Sequence, residues 1–134
     1  MNAFWENELV EIAAYYSVAV LCLVIFLTVF ELVTSYKNWV EIQKGNLAVA
    51  MATGGKILGI ANVFQHSIAQ HNSLLQMIGW GVYGFIMLLI SYFIIQFLTH
   101  RFKIDKEFEK DNRAVGFISF VISVGLSFVV AAGI

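Results

Sequence analysis

Residues 44–67 read KGNLAVAMATGGKILGIANVFQHS. From Leu47 to Ser67 the only charged residue is Lys56, and a run of about 20 apolar residues is what a helix needs to cross a bilayer. Taken at alternating steps of four and three, Ala48, Ala52, Gly55, Gly59, Asn62 and His66 fall on one stripe: four small residues, then two polar ones. Gly55 and Gly59 form a G-x-x-x-G pair, and Ala50 with Gly54 forms a second small pair. Small residues let helix backbones approach, and in lipid that close packing drives association. The stripe predicts a packing seam, either inside one bundle or between copies of the chain. Lys56 lies in sequence between Ala52 and Gly59, near the middle of a helix meant for lipid, and its charge needs an explanation.

The rest of the chain puts this segment in a membrane. Of 134 residues, 60% are hydrophobic and 13% charged, and there is no proline. A soluble domain carries about 25% charged residues, and so small a globule cannot hide this much apolar surface. Three further spans are legible: Ala13 to Phe30, extending to about Ser35, then Met77 to Thr99, and Ala114 to Ile134. The expected fold is all-α, an integral membrane four-helix bundle forming a single domain over 1–134. The first span is flanked by Glu6, Glu8 and Glu11, where a cleavable signal would be basic.

Seven of the eight basic residues sit beside two connections: Lys37 and Lys44 in the first, and Arg101, Lys103, Lys106, Lys110 and Arg113 in the third. By the positive-inside rule the loops near 37–46 and 100–113 are cytoplasmic and both termini lie outside. Trp5, Tyr15, Tyr36, Trp39, Trp80 and Phe102 fall near the expected interfaces, where amphipathic rings are favoured. The expected location is the bacterial plasma (inner) membrane, with the lipid bilayer as the first partner.

Those two connections also carry a repeat. EIQKGNLAVA (41–50) aligns without gaps to EFEKDNRAVG (107–116), a shift of 66 residues that makes Glu41/Glu107, Lys44/Lys110, Asn46/Asn112, Ala48/Ala114 and Val49/Val115 identical and later matches Gly59 to Gly125 and Val63 to Val129. Two tandem parallel helical-hairpin repeats are expected, about 13–68 and 77–134. Parallel copies are required because each unit has two spans, in contrast to the inverted repeats of many transporters. In the shared motif E-x-x-K-x-N-x-A-V-[AG], Asn46 and Asn112 are N-cap residues that accept from orphan backbone N–H groups. Glu41, Lys44, Glu107 and Lys110 either support those caps or form a shared docking site for a cytoplasmic partner. The fourth span has a small, weakly polar face of its own, Gly116, Ser119, Ser123 and Ser127.

The copies differ in their polar content. Lys56 corresponds to Ile122, Glu31 to Phe97, and Gln65 and His66 to Ala131 and Ala132. A candidate intramembrane polar site is therefore Glu31, Lys56, Asn62 and His66, all in the first hairpin. With the hairpin centred near residue 40, Glu31 and Lys56 differ in depth by about 10 Å at 1.5 Å per residue, and their side chains lean toward each other. One reading is an ion pair, or a lysine snorkelling to the surface. The other is a polar path for an ion or proton, in which a lysine would disfavour cations. His66 and His71, five apart, are poorly spaced for shared metal ligation on a helix, and an outer polar mouth fits them better.

Other classes are disfavoured. Cys22 is the sole cysteine and lies in an apolar run, so no intrachain disulfide forms. A net charge of −1 gives no field for nucleic acid. No nucleophile–base set, phosphate loop or metalloprotease motif is present, so no enzyme, cofactor or metal is expected.

The run GNLAVAMATGGKILGIANVFQHSI, with its degenerate second copy from Asn112, resembles the YjfL-type four-span inner-membrane family, DUF350, a domain of unknown function. The resemblance covers nearly the whole chain and supplies no catalytic residue. It departs at Asp111, where the first copy has Gly45. The resemblance implies a link with phage-shock-type membrane-stress proteins. The expected function is a scaffold or partner in envelope stress and membrane homeostasis, self-associating as a homo-oligomer and engaging a peripheral membrane-stress protein. The alternative is a subunit of a small ion channel or transporter with a polar path near Glu31 and Lys56.

Overall fold

A computed structural model describes residues 8–33, 38–70, 73–98 and 104–134. Trp5, Tyr36, Lys37, His71, Arg101, Phe102 and Lys103, which bear on topology and on a polar mouth, lie outside the described residues. The elements are α1 (Glu8–Val33), α2 (Asn38–Gln43), α3 (Leu47–Gln70), α4 (Leu74–Leu98), α5 (Ile104–Glu109) and α6 (Arg113–Ala132). Four of them, α1, α3, α4 and α6, are long and apolar enough to cross a membrane. The short helices α2 and α5 are a difference from the sequence pattern, which predicts plain loops at both connections. Six residues are too few to show an apolar period, and tertiary contacts hold these turns.

No proline interrupts the spans, and their ends are closed by local chemistry. The Ser73 hydroxyl accepts from the Gln76 N–H at 3.1 Å and so caps α4. Two hydroxyls inside the spans are satisfied within their own helix: Thr28 donates to the Val24 carbonyl and Ser91 to the Met87 carbonyl, each at 2.9 Å. Lipid offers these groups no partner, so back-bonding is the economical solution.

The bundle is built around α3. Of the α3 span 56% is buried, against 6% of α1, 28% of α4 and 17% of α6. One core joins Phe26 and Phe30 of α1, Ile60, Val63 and Phe64 of α3, and Met77, Phe85 and Leu88 of α4. A second, smaller core at the other end joins Ala48, Val49 and Ala52 to Phe108 of α5. The outward faces of α1, α4 and α6 carry residues such as Leu9, Val24, Leu75, Ile90, Phe117 and Val129, which in a bilayer contact lipid at no cost.

α3 presents different surfaces to different neighbours. Its bulky side faces α4, which answers with glycine: a Cβ at Gly81 would run into the Phe64 ring, and one at Gly84 into Val63. Its small side faces α6. The Ser67 hydroxyl adds a buried hydrogen bond of 2.8 Å to the Met77 carbonyl, fixing the α3–α4 turn.

Candidate functional site

Three features carry the polar and close-packed residues singled out by the sequence. The first is the seam between α3 and α6. Ala48 and Ala52 are fully buried, and Gly55 and Gly59 are buried beside them. A Cβ at Gly55 would stand 2.9 Å from the Phe120 Cα and one at Gly59 3.3 Å from the Ser123 carbonyl oxygen. From the other side, a Cβ at Gly116 would stand 2.6 Å from the Ala48 Cα. The obstacles are backbone atoms, which cannot rotate aside. The seam therefore lies within one chain, and Gly116 and Ser123, from the small face of the fourth span, are on it. At its far end the Asn62 amide donates to the Ser127 hydroxyl at 3.0 Å, and Ser127 donates on to the Val124 carbonyl. A part-buried amide–hydroxyl bond of this kind joins helices where lipid supplies no competitor.

The second feature is a clasp between the turns before α3 and α6. Each short helix ends in a left-handed residue, Gly45 at φ 85° and Asp111 at φ 57°. In the first turn the Gly45 N–H donates to Ile42 and the Asn46 N–H to Glu41; in the second Asp111 donates to Phe108 and Asn112 to Glu107. This is the Schellman pattern, which satisfies the last carbonyls of a helix. Each asparagine then opens the next helix: Asn46 Oδ1 accepts from the Val49 N–H at 3.0 Å, and Asn112 Oδ1 from the Val115 N–H at 3.3 Å. Glu41 and Glu107 accept from the amides of Asn46 and Asn112 at 3.3 and 2.8 Å, holding the caps in place.

The turns also grip one another, in one direction. Asn46 Nδ2 donates to the Phe108 carbonyl at 2.6 Å, and the Ala48 N–H at the start of α3 donates to Asp111 Oδ1 at 2.9 Å. A carboxylate at a helix N-terminus also complements the helix dipole. Asp111, which stands where the first turn has Gly45, thus caps the helix that the other turn opens. Lys44 and Arg113 are largely exposed, with loose contacts to Glu41 at 3.9 Å and Asp111 at 3.7 Å. Lys106 and Lys110 are exposed as well.

The third feature is Lys56. It is 4% exposed and turns away from the seam, toward α1 and α4. Its ammonium lies over the Phe30 ring, 5.3 Å from the centroid, and over the Tyr92 ring at 4.9 Å. Those rings meet edge to face at 5.7 Å, and Phe30 also stands edge-on to Phe85, itself stacked on Phe26 at 4.0 Å. Aromatic faces attract a cation, more strongly where water is excluded. Glu31 is the next residue after Phe30 on α1 and is half-buried. Within the proposed polar set, Lys56 is engaged by α1 and α4 and Asn62 by α6, so the two serve different interfaces. His66 is half-buried, one helical turn beyond Asn62.

Sequence reasoning missed Phe30 and Tyr92, because an aromatic residue on an apolar span looks the same whether it faces lipid or a cation. It missed Gly81 and Gly84 as well, although their three-residue spacing is a signal that could have marked them as a small pair. Among the described residues, no group of three or more His, Cys, Asp or Glu side chains is placed to hold a metal ion.

The comparisons agree on the membrane character of the chain. It is 90% identical over all 134 residues of both chains to the UPF0719 transmembrane protein YshE of Bacillus subtilis (strain 168). No solved structure matches it. Nothing in these likenesses points to enzymatic activity. A family model described as Domain of Unknown Function (DUF350) matches residues 4–134, and with that coverage the chain belongs to the DUF350 family.

Proposed function

We propose that this chain is a scaffold of the bacterial plasma membrane that acts in envelope homeostasis by holding a peripheral protein at its basic end. The observation that carries the proposal is the α3–α6 seam. The helix with the most polar side chains is closed against its neighbour by backbone contact at Gly55 and Gly116, and its one buried cation is covered by two rings. A central helix sealed in this way is built to fix its ends relative to each other. What it fixes is the clasp, where Glu41, Glu107 and Asp111 are occupied with caps while Lys44, Lys106, Lys110 and Arg113 point outward. Among the described side chains, the charge left for a partner is positive. The positive-inside rule puts this end in the cytoplasm and both termini outside. The matched turns, 66 residues apart, are what two tandem hairpin copies would produce. The envelope-stress setting rests on the family resemblance.

Two measurements test the proposal. Proteoliposomes containing the protein should pass ions and protons no faster than empty vesicles. Affinity capture of the tagged protein should retain a peripheral stress protein, and Lys106→Glu with Lys110→Glu should release it. Flux that depends on Lys56 would replace the scaffold by a conducting subunit.

A further inference from the structure

Thr53 Oγ1 on α3 and Asn38 Oδ1 on α2 are buried and make no hydrogen bond to any described residue. Their residues are 2% and 3% exposed, and α2 packs on α3. Thr53 is the sharper case. A threonine inside a helix has a carbonyl of the preceding turn within reach, and Thr28 and Ser91 bond back in this way. Thr53 does not. A buried hydroxyl left so is expensive unless something else serves it. Thr53 stands less than two turns into α3 from Leu47, about 9 Å along the axis. Lys56 is one turn further on the same side of the helix, and residues three apart have Cβ atoms about 5–6 Å from each other. Helical side chains lean toward the start of their helix, so the Lys56 ammonium, beside the Phe30 and Tyr92 rings, reaches back toward the level of Thr53. No hydrogen bond joins the two.

The three groups ask for different things. An ammonium only donates, an amide oxygen only accepts, and a hydroxyl does both. The rings beside Lys56 attract its charge, but a ring is a weak acceptor and no donor to oxygen of ordinary strength. Water meets all three demands, and buried waters bond the polar groups that a protein leaves unsatisfied. A halide only accepts, so it cannot serve Asn38 Oδ1, and a metal cation is repelled by Lys56. We propose that Thr53 and Lys56 hold a water site inside the bundle, extending toward Asn38 at the clasp end. Away from the clasp the site stops at a stack of rings. Phe30 stands edge-on to Phe85, Phe85 stacks on Phe26, and Phe26 packs against Phe64 at 5.6 Å. Water at Lys56 therefore opens no path across the bundle, and the site is independent of the scaffold proposal.

Two measurements on the full chain in lipid test it. Water-edited solid-state NMR reads how fast magnetisation passes from water to a side chain. It should reach the Thr53 methyl about threefold faster than the methyls of Ile60, which is equally buried one turn beyond Lys56. Thr53→Val should slow the transfer to the Lys56 side chain, and Thr53→Ser, which keeps the hydroxyl, should preserve it. Thermal melting supplies a test of sign. Thr53→Val nearly keeps the shape and deletes the hydroxyl. Removing a hydroxyl that nothing serves raises the melting temperature, whereas removing one bonded to water lowers it. Thr53→Val should lower it by about 3–6 °C, the effect of one hydrogen bond in a chain of this size. Transfer at Thr53 no faster than at Ile60, or a melting temperature that rises or stays level in Thr53→Val, would each overturn the proposal. So would a wild-type melting temperature that climbs with chloride and loses that dependence in Thr53→Val, which would make a halide the occupant.

Discussion

α3 and α6 open with the same motif and finish in opposite settings. Both begin after a Schellman turn and an asparagine cap braced by a glutamate, yet 56% of the α3 span is buried and only 17% of α6. The difference lies in the residues downstream of the motif. α3 carries Gly55 and Gly59 on one side and Lys56 on another, so each side has a specific neighbour to meet. α6 has Ile122 where α3 has Lys56, and its Gly125 opens onto nothing within 4 Å. One helix is specified on several faces and becomes the centre; its sister is specified on one and lies at the edge. Start signals say where a helix begins. Its later side chains decide where in the bundle it goes.

The sharpest way to break this comparison is to put matched substitutions into the two settings. Gly116→Ala places a methyl group against the Ala48 backbone and should destabilise the protein by about 3 kcal/mol, at the upper end for overpacking. Gly59→Ala, facing the Ser123 carbonyl, should cost about 1–2 kcal/mol. Gly125→Ala, the position equivalent to Gly59, should be neutral or slightly stabilising, since alanine is the better helix former. Thermal melting in one detergent ranks the three. Equal losses at positions 59 and 125 would show that the seam does not distinguish the two helices.

The next contrast concerns charge. Lys56 is covered by Phe30 and Tyr92, whereas Ile122 is 36% exposed. Ile122→Lys should cost about 2–3 kcal/mol, the insertion-scale penalty for a cation near the bilayer centre. If Glu31 is the counter-charge of Lys56, Lys56→Met should cost about 2 kcal/mol, and adding Glu31→Gln should restore more than half of that. Equal damage from the single and double variants, by the same melts, would remove Glu31 from that role. Tyr92→Leu separates the ring contribution, with an expected loss of about 1–2 kcal/mol.

How much could be read from the sequence depends on which signals are local. The four spans were legible because hydrocarbon thickness sets a length that a run of apolar residues either meets or does not. The asparagine caps were legible because capping needs only a side chain and the next turn of backbone. The stripe through Ala48, Ala52, Gly55 and Gly59 could be drawn from spacing alone, but its partner could not. Which face of α6 meets it depends on how two helices rotate against each other. The same limit hid the rings around Lys56: Phe30 and Tyr92 are 26 and 36 residues away in sequence, and nothing local marks them. The helices α2 and α5 were missed because their order comes from the clasp and their intrinsic propensity is too small over six residues.

Asp111 is where local and tertiary demands meet, and it gives the finest test of the comparison. The same position of the first turn holds Gly45, and glycine adopts a left-handed conformation without strain. Aspartate tolerates that conformation better than most residues but less well than glycine. The second turn accepts this strain and gains a carboxylate that caps α3 through the Ala48 N–H. Asp111→Gly relieves the turn and removes the cap, so the two effects oppose and the net loss should be within about 1 kcal/mol. Asp111→Ala removes the cap and keeps the strain, and should cost about 1–2 kcal/mol. The reverse exchange, Gly45→Asp, adds strain to the first turn and should cost about 1 kcal/mol. Amide exchange at Ala48 isolates the cap from the strain: protection should fall with both Asp111→Gly and Asp111→Ala and stay unchanged with Gly45→Asp. If Asp111→Gly leaves Ala48 protected, the carboxylate is not what holds α3, and the one-way grip reduces to the Asn46 bond with the Phe108 carbonyl.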